Sequence, residues 1–425
     1  MIVENKKQLK EFIKKYKSED SILIPVFCDD NKHPIETEIS VLYVQFMDEQ
    51  EYILPFNHSE TLNIEIPDLN SKAIKYTYDR KLLNHFVKLD NVIDVNLLHY
   101  MATGAPLDIE QIDTNAHYYF HTKHYKKSNI NKIIPVLKHL EYCRKVVKVL
   151  KDTISKFKET VNLSYNNEVL DNLTYIESNG LQTTDGVVYS EYNPYTSTGR
   201  PSNRFGGTNF AALNKTDGSR KPYESRFKNG VLVEMDFDAY HLRLIADKVD
   251  YKFPEGSVHE HMAKFYKCDY EESKRKSFQY LYGKIPIEVW QLNLYFSSVH
   301  DFIEDLWKEW KSKEFIVSDI YNKRIYKRNL SDMSSNKLFN YTIQLMETEN
   351  NMKVLTKLIP EIENNKSKLI LYSYDSFLFD FNIEDGLEYL KKIKDIIEQD
   401  GKFPVKVSWG LNYHEMTDIT EKFVD

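Results

Sequence analysis

Two aspartates at the ends of apolar segments are the side chains best placed to do chemistry in this sequence of 425 residues. Asp236 closes the apolar segment 231–236, and Asp375 lies in a tight turn within the apolar segment 368–381. A charged side chain between buried strands is costly unless it is paired or bound to a metal. A carboxylate beside a backbone carbonyl, here that of Phe237, suits a hard divalent cation. Two such carboxylates on one sheet would make a two-metal site for phosphoryl transfer, although aspartates are also common in turns for backbone reasons alone.

A cation and two aromatic rings recur every four residues further along the chain. Lys274, Phe278 and Tyr282 would therefore share one face of a helix. A nucleoside triphosphate needs this combination, because the ammonium group attracts phosphate and the rings present apolar surface to base and sugar. An ordinary amphipathic helix, with its rings in the core and its lysines in solvent, is the alternative interpretation of the same spacing.

The order of these segments resembles the polymerase region of the family A DNA polymerases, the bacterial DNA polymerase I type. Residues 235–243 resemble motif A of that family, residues 274–283 motif B and residues 374–376 motif C. Four further stretches follow the family's order and extend the resemblance over residues 185–425: Thr198-Gly199-Arg200, Asn209 to Asn214, Asn340 with Gln344, and residues 403–413. Each motif alone is weak, and their common order carries the resemblance.

The resemblance implies a primer-dependent DNA polymerase, a nucleotidyltransferase that adds dNTPs to the 3′-hydroxyl of a primer on template DNA. Asp236 and Asp375 would hold two Mg²⁺ ions, which Mn²⁺ could replace, with help from the Phe237 carbonyl. Lys274 would contact the triphosphate and is the candidate to donate a proton to pyrophosphate. The nucleotide pocket would also include Phe278, Tyr282 and His241. Contacts to primer and template would come from Arg200, Asn209, Asn340 and Gln344.

The sequence departs from the family pattern at several of these positions. His241 stands where the family has a glutamate that blocks a ribose 2′-hydroxyl, so discrimination between dNTPs and NTPs is open. His241 could act as a gate or simply pack against Tyr282. Tyr270 stands where motif B begins with an arginine, and we expect shortened fingers. Motif C has Tyr374 and Ser376 in place of histidine and glutamate, so we expect chemistry with weakened metal affinity.

The N-terminal residues look like a reduced 3′–5′ exonuclease domain, as the family often carries. Asp30, Asp79 and Asp94 would be its remnants, but Cys28 stands where the first metal-binding aspartate is expected. Two-metal hydrolysis needs several carboxylates, so we expect a domain without proofreading activity. Residual hydrolysis by Asp30 and Asp79 with an unrecognised third carboxylate is the alternative.

These segments predict a multidomain fold of the α+β and α/β classes. A right-hand polymerase with palm, fingers and thumb would follow a reduced RNase H-like exonuclease-type domain. The expected boundaries are 1–125 for the exonuclease-like domain, 126–184 for the thumb and 185–425 for palm and fingers, with the fingers at about 257–330.

Apolar periodicity predicts the elements of this fold. Strands are expected at 21–27, 39–46, 51–56, 74–78, 231–236 and 403–409, and a hairpin at 368–381. Helices are expected at 80–89, 130–157, 384–399 and between about 257 and 365. An irregular segment is expected at roughly 179–230.

Composition says more about the cellular setting of the protein than about the reaction it carries out. Hydrophobic content of 41% and charged content of 28% are ordinary for a soluble globular protein, and no apolar run is long enough for a membrane span. Three scattered cysteines and the charged N-terminal residues indicate a reducing compartment, which we expect to be the cytoplasm. The net charge of −7 does not indicate a DNA-binding protein. The abundance of Lys, Asn, Ile and Tyr indicates an AT-rich genome, and we expect a monomeric bacteriophage enzyme whose replisome partners the sequence does not identify.

Three other functions are alternatives at this point. A polymerase with relaxed sugar choice, of the RNA polymerase or primase type, has His241 as its only support. A non-catalytic relative that binds nucleic acid is disfavoured by the presence of Asp236, Asp375 and Lys274. An exonuclease without polymerase function is disfavoured by Cys28.

Overall fold

The protein is described from a computed structural model. It covers residues 1–109, 128–159, 164–203 and 208–423. The chain divides into two compact units, Met1–Thr174 and Tyr175–Asp425. Among the described helices, none is long and apolar enough to cross a membrane.

The first unit is built on a five-stranded mixed sheet. Its strands are β1 (Ser21–Phe27), β2 (Ile39–Phe46), β3 (Glu51–Pro55), β4 (Lys75–Thr77) and β5 (Val92–Asp94). The order is β3-β2-β1-β4-β5, with β1, β2 and β3 antiparallel and β1, β4 and β5 parallel. The helices are α1 (Lys6–Tyr16), α2 (Arg80–Asn84), α3 (Val95–Thr103), α4 (Val136–Phe157) and α5 (Ser164–Asn179), and α5 runs into the second unit.

This sheet is buried on both faces because successive side chains of a strand point to opposite sides. Leu23 of β1 packs in a cluster with Phe12 and Tyr16 of α1. Its neighbours Ile22 and Ile24 pack in a second cluster that contains Val147 of α4. The near-continuous apolar character of β1 therefore follows from a position between two helical layers.

Two predicted helices of this unit are shorter than expected. The segment 130–157 begins with a 3₁₀ turn, and α4 starts only after Pro135, since proline disfavours helical backbone in the residue before it. Ile133 and Leu137, predicted on the apolar face, are 62% and 64% exposed. The segment 80–89 leaves the helix after Asn84, and Phe86 stacks on Phe27 at a ring distance of 4.9 Å.

The second unit contains one large antiparallel sheet and several short strands. The short strands are β6 (Leu181–Thr183), β7 (Gly186–Val188), β8 (Tyr192–Asn193), β9 (Ser202–Asn203) and β10 (Tyr223–Glu224). They lie where the sequence predicted irregular structure. The large sheet has the order β14-β15-β11-β16-β17. Its strands are β11 (Gly230–Phe237), β14 (Lys368–Ser373), β15 (Ser376–Asn382), β16 (Val405–Gly410) and β17 (Thr417–Asp418).

Seven described helices belong to this unit after β10. They are α6 (Tyr240–Lys248), α7 (Val258–Tyr266), α8 (Tyr270–Tyr282), α9 (Ile287–Leu292), α10 (Leu294–Ser312), α11 (Ser335–Glu363) and α12 (Leu387–Glu398). Leu242, Met262, Leu281 and Phe339, from four of these helices, share one buried cluster. A hairpin of β12 (Phe315–Val317) and β13 (Arg324–Tyr326) lies within the stretch of about 257–365 where helices were predicted. The sequence did not predict it, because three-residue strands are too short to show a period of two.

The predicted strand at 231–236, the hairpin at 368–381 and the helix at 384–399 are confirmed to within a few residues. The division into exonuclease-like, thumb and palm-with-fingers domains stays a prediction.

Candidate active site

Sheet register brings the two predicted aspartates side by side. Asp236 on β11 lies opposite Ser376 on β15 and opposite Lys406 on β16. The Phe237 backbone N–H donates to the Asp375 carbonyl at 3.0 Å, which ties the turn between β14 and β15 to the end of β11. Both aspartates line a cavity of about 820 Å³. Strand pairing thus fixes Asp236 directly and fixes Asp375 through the short turn between two paired strands.

The turn that carries Asp375 is tight and strained. Ser373 pairs with Ser376, so Tyr374 and Asp375 form a two-residue hairpin turn. Tyr374 has a φ of 58°, in the left-handed region where glycine is usual in such turns. Two contacts hold it there, because the Asn351 amide donates to the Tyr374 carbonyl at 2.6 Å and the Arg200 guanidinium lies 3.6 Å from the centre of the Tyr374 ring. The turn is therefore held from both sides.

The charge of Asp236 disfavours the ionisation of Asp375. Burial, followed by the charges of Asp236 and Glu347, raises the pKa of Asp375 to about 6. Burial also raises the pKa of Asp236, against the opposing effect of Lys215, whose Nζ lies 3.5 Å from Asp236 Oδ2. Protein atoms surround both groups, yet both reach solvent through the cavity, and the Asp236 side chain is 39% exposed. A cation between them would remove the repulsion.

Helix α8 supplies the wall with a cation and two rings. Asp269 caps its N-terminus by accepting from the Glu272 N–H, and Lys274, Phe278 and Tyr282 all line the cavity. The rings of Phe278 and Tyr282 are parallel to within 3°, with centroids 5.8 Å apart. The spacing of four residues thus places all three side chains on the cavity side of α8.

His241 sits between this wall and a buried glutamate. Its Nδ1 shares a hydrogen bond with the Tyr282 hydroxyl. Its Nε2 lies 3.2 Å from Glu347 Oε2, within ion-pair distance. His241 thus does contact Tyr282, as one of the two sequence interpretations expected, and it does so at the cavity surface.

One face of α11 lies under the cavity. Asn340, Gln344, Glu347 and Asn351 follow one another at steps of four, three and four residues, the spacing of a single helix face. The Asn340 amide donates to the Tyr282 carbonyl at 3.1 Å, and Gln344 Oε1 accepts from Thr198 at 3.4 Å. The Glu347 side chain is completely buried, and Arg200 Nε lies 3.3 Å from its Oε2.

The structure gathers nearly all of the predicted polymerase-site residues around one cavity. Those that line it are Arg200, Asp236, Phe237, His241, Lys274, Phe278, Tyr282, Asn340, Gln344 and Asp375. Asn209 does not line it; it is exposed, just before a 3₁₀ turn at Phe210–Ala212.

Sequence reasoning missed several residues that also line the cavity or support it. The lining ones are Lys215, Glu234, Asp238, His259, Tyr270, Lys406, Ser408 and Asp418. Signals for two of the missed residues were present. Lys406 stands between Val405 and Val407, so strand alternation places it on the opposite face from these buried valines. Glu347 follows Gln344 by three residues, so helical spacing places both on one face.

The three aspartates predicted in the first unit are used differently. Asp79 caps α2 by accepting from the Leu82 N–H at 3.0 Å. Asp94 caps α3, accepting from the N–H groups of Leu97 and Arg80 at 2.7 Å each. Burial, followed by the charge of Asp79, raises the pKa of Asp94. Asp30 and Asp79 line a cavity of about 190 Å³ in this unit, whereas Asp94 is buried.

Comparison with known proteins identifies the fold. No protein-family model matches the sequence, and no curated protein matches it. The mixed α/β fold resembles that of a DNA polymerase POL domain. The solved structure in question is the POL domain of Pol1 from M. smegmatis in complex with DNA primer-template and dNTP, with a TM-score of 0.70 over 98% of this chain and 100% of that chain. The two sequences are 12% identical, so the likeness concerns the fold alone.

Proposed function

We propose that the protein is a family A-type, primer-dependent DNA polymerase that adds dNTPs to a primer 3′-hydroxyl. The observation that carries the proposal is the placement of Asp236 and Asp375 at the ends of paired strands, in one cavity with Lys274, Phe278 and Tyr282. The similarity in fold to a POL domain solved with DNA primer-template and dNTP supports it.

The donor set fits a hard divalent cation such as Mg²⁺. Two carboxylates with raised pKa values reach solvent in one cavity, and oxygen donors are those that Mg²⁺ prefers. We propose that Asp236 and Asp375 hold two Mg²⁺ ions, with Mn²⁺ as a substitute, and that the Phe237 carbonyl assists. When bound, the ions would supply activation of the 3′-hydroxyl and neutralisation of the triphosphate.

The remaining roles follow from the positions of the protein's own side chains. Lys274 lines the cavity and would bind the triphosphate and donate a proton to the leaving pyrophosphate. The parallel rings of Phe278 and Tyr282 offer a surface for base and sugar. Arg200, Asn340 and Gln344 would contact primer and template through minor-groove acceptors common to all base pairs, which tests shape and not sequence. Asn209, which lies outside the cavity, would contact the DNA elsewhere.

We also propose discrimination against ribonucleotides, through His241. Its contacts to Tyr282 and Glu347 hold the imidazole at the cavity surface. Without these contacts the side chain could move aside. A fixed ring can exclude a 2′-hydroxyl by volume alone. The same contacts disfavour an RNA polymerase or primase-like activity.

The first unit supports the proposal of a polymerase without proofreading. Asp79 and Asp94 already accept backbone hydrogen bonds as helix caps, and Cys28 is buried. We retain the right-hand architecture as part of the proposal, with a thumb at 126–184 and palm and fingers at 185–425. The composition supports a role in bacteriophage DNA replication in the bacterial cytoplasm.

Primer extension on matched and 3′-mismatched primers, with dNTPs and NTPs in separate reactions, tests these proposals together. We expect extension of matched primers with dNTPs and Mg²⁺, no removal of the mismatched nucleotide and poor use of NTPs. The proposed function would be refuted if the wild-type protein extended no primer and the Asp236→Ala and Asp375→Ala variants were indistinguishable from it.

A further inference from the structure

Lys406 places a second cation on the floor of the cavity. It lies on β16 directly opposite Asp236, and cross-strand partners project from the same face of a sheet about 5 Å apart at their Cβ atoms. Its side chain is 49% exposed and lines the cavity together with Lys274 of α8. The metal-binding aspartates therefore have a lysine on the helix side and a lysine on the sheet side.

The positive charge of Lys406 is not fully neutralised by its contacts within the protein. Its Nζ lies 3.1 Å from Asp238 Oδ1, but Arg243 also binds Asp238, donating from Nε to its backbone carbonyl at 3.0 Å and approaching Oδ2 at 3.5 Å. One carboxylate thus faces two cations. Lys406 also makes a hydrogen bond of 3.4 Å to the Tyr270 hydroxyl and lies 6.0 Å from the centre of the Tyr270 ring.

The other cations of the cavity already lie against carboxylates of the protein. Lys215 lies 3.5 Å from Asp236 and 3.6 Å from Glu234, and Arg200 lies against Glu347. His259 is uncharged near neutrality, because burial lowers its pKa to about 4. Within the part of the chain that the structure describes, surplus positive charge beside the aspartates thus comes from Lys274 and Lys406.

We propose that Lys406 is a second triphosphate-binding residue, which contacts the β- and γ-phosphates from the sheet side while Lys274 contacts them from the helix side. The inference rests on the proposed polymerase function and names a residue for it. Tyr270, at the first position of α8, orients the Lys406 ammonium group by accepting its hydrogen bond. A triphosphate carries up to four negative charges on several oxygens, and a second lysine would add charge-assisted hydrogen bonds to those from Lys274.

The chain offers a matched control for this proposal. Lys402 lies four residues earlier, is also 49% exposed and also pairs with an aspartate, with its Nζ 2.7 Å from Asp247. It does not line the cavity. Lys402→Ala therefore removes a comparable ion pair without removing a side chain from the cavity.

Steady-state single-nucleotide incorporation should be measured for wild type, Lys406→Ala, Lys406→Arg and Lys402→Ala, together with primer-template Kd from fluorescence anisotropy. We expect Lys406→Ala to raise the KM for dNTP by at least about tenfold, with an unchanged DNA Kd. Lys406→Arg should recover most of the loss, and Lys402→Ala should match wild type. The KM for pyrophosphate in the reverse reaction should rise in Lys406→Ala as well.

Two outcomes would overturn the assignment. An unchanged KM for dNTP in Lys406→Ala would remove Lys406 from the triphosphate site, and a rise in DNA Kd equal to the rise in KM would reassign it to the DNA backbone. Calorimetric measurement of the equilibrium binding of dATP and of dAMP to the protein, with Mg²⁺ present, tests Lys406 independently of turnover. A protein that extends no primer but binds dATP in a Lys406-dependent manner would refute the proposed function and leave this inference standing.

Discussion

The two units place aspartates at strand ends in the same way and use them for different purposes. Asp94 ends β5, and α3 starts at the next residue, so the carboxylate accepts the Leu97 N–H at the start of α3 and also the Arg80 N–H at the start of α2. Asp236 lies one residue before the end of β11, and α6 starts only at Tyr240. Ala239 precedes α6 in a left-handed conformation and supplies no side-chain cap, and none of the described hydrogen bonds to Asp236 Oδ atoms comes from the start of this helix.

This difference shows what separates a structural carboxylate from a candidate metal ligand. The residue type and its place after an apolar strand are the same in both cases. The length of the connection to the following helix decides whether the helix N-terminus uses the carboxylate or leaves it facing a cavity. Asp375 obeys the same rule, since it lies in a hairpin turn and is followed by strand β15 and not by a helix.

The largest effect is expected from removing the carboxylates of the second unit. Asp236→Ala or Asp375→Ala should lower kcat on the order of 10⁴-fold, and the double variant should be little worse because the two act as one unit. Asp79→Ala should leave kcat unchanged. A polymerase assay with saturating dNTP measures all four, and equal losses in both units would break the distinction between them.

Glu347 sharpens the comparison, because it is a buried carboxylate held by the Arg200 guanidinium and the His241 ring and not by a helix N-terminus. Glu347→Gln should lower the free energy of unfolding by about 3 kcal/mol, since it leaves Arg200 and His241 without their anion. It should also weaken discrimination against NTPs, because His241 loses a contact. Chemical denaturation and the ratio of kcat/KM for dNTP and NTP measure the two effects. Glu363→Gln, at the exposed end of the same helix, is the control and should change neither.

Loss of a helix-capping carboxylate should cost stability without costing activity. Asp94→Ala should destabilise the protein by about 1–3 kcal/mol, because two buried N–H groups lose their acceptor. Urea denaturation followed by far-UV circular dichroism measures the change, and primer extension at 20 °C should be unaffected. Catalytic loss in a variant that remains folded would contradict a purely structural role for Asp94.

The smallest effect concerns pH and metal. The pKa of Asp375 is raised to about 6, so its favourable contribution to folding is complete below its unfolded pKa of about 4 and is lost as pH rises through about 6. Mg²⁺ should therefore raise Tm more at pH 8 than at pH 5, by about 2–4 °C. Differential scanning fluorimetry measures the shift. Asp375→Asn should abolish the pH dependence of the Mg²⁺ effect, and an equal shift at both pH values in wild type would contradict the site.

The sequence predicts those parts of the site that depend on local pattern. Asp236 follows from an apolar run and Lys274, Phe278 and Tyr282 from a four-residue period, and each of these features lies within a few residues. Lys406 lies beside Asp236 only because β16 pairs with β11, and strand register across 170 residues is not a local property. The same limit applies to the fold.

Strong local patterns located β1, β2 and α12, whereas Pro135 and the packing of Phe86 shortened two predicted helices. Ile133 fits the apolar period of a helix that begins only after Pro135, so it lies outside that helix, and Leu137 is exposed in its first turn. Asn209 was assigned from order along the chain alone, and order does not determine which side of a short turn faces the cavity.

The central position of β11 also bears on how the chain acquires its structure during synthesis. Its neighbours begin at Ser376 and Val405, so the apolar strand that ends near Asp236 has no partner until most of the chain has left the ribosome. Pairing over such separations is slow, and an unpaired apolar strand is prone to aggregate. The sheet that fixes the carboxylates therefore cannot be completed before residues 405–410 have been synthesised, and residues 230–237 lack these strand partners until then.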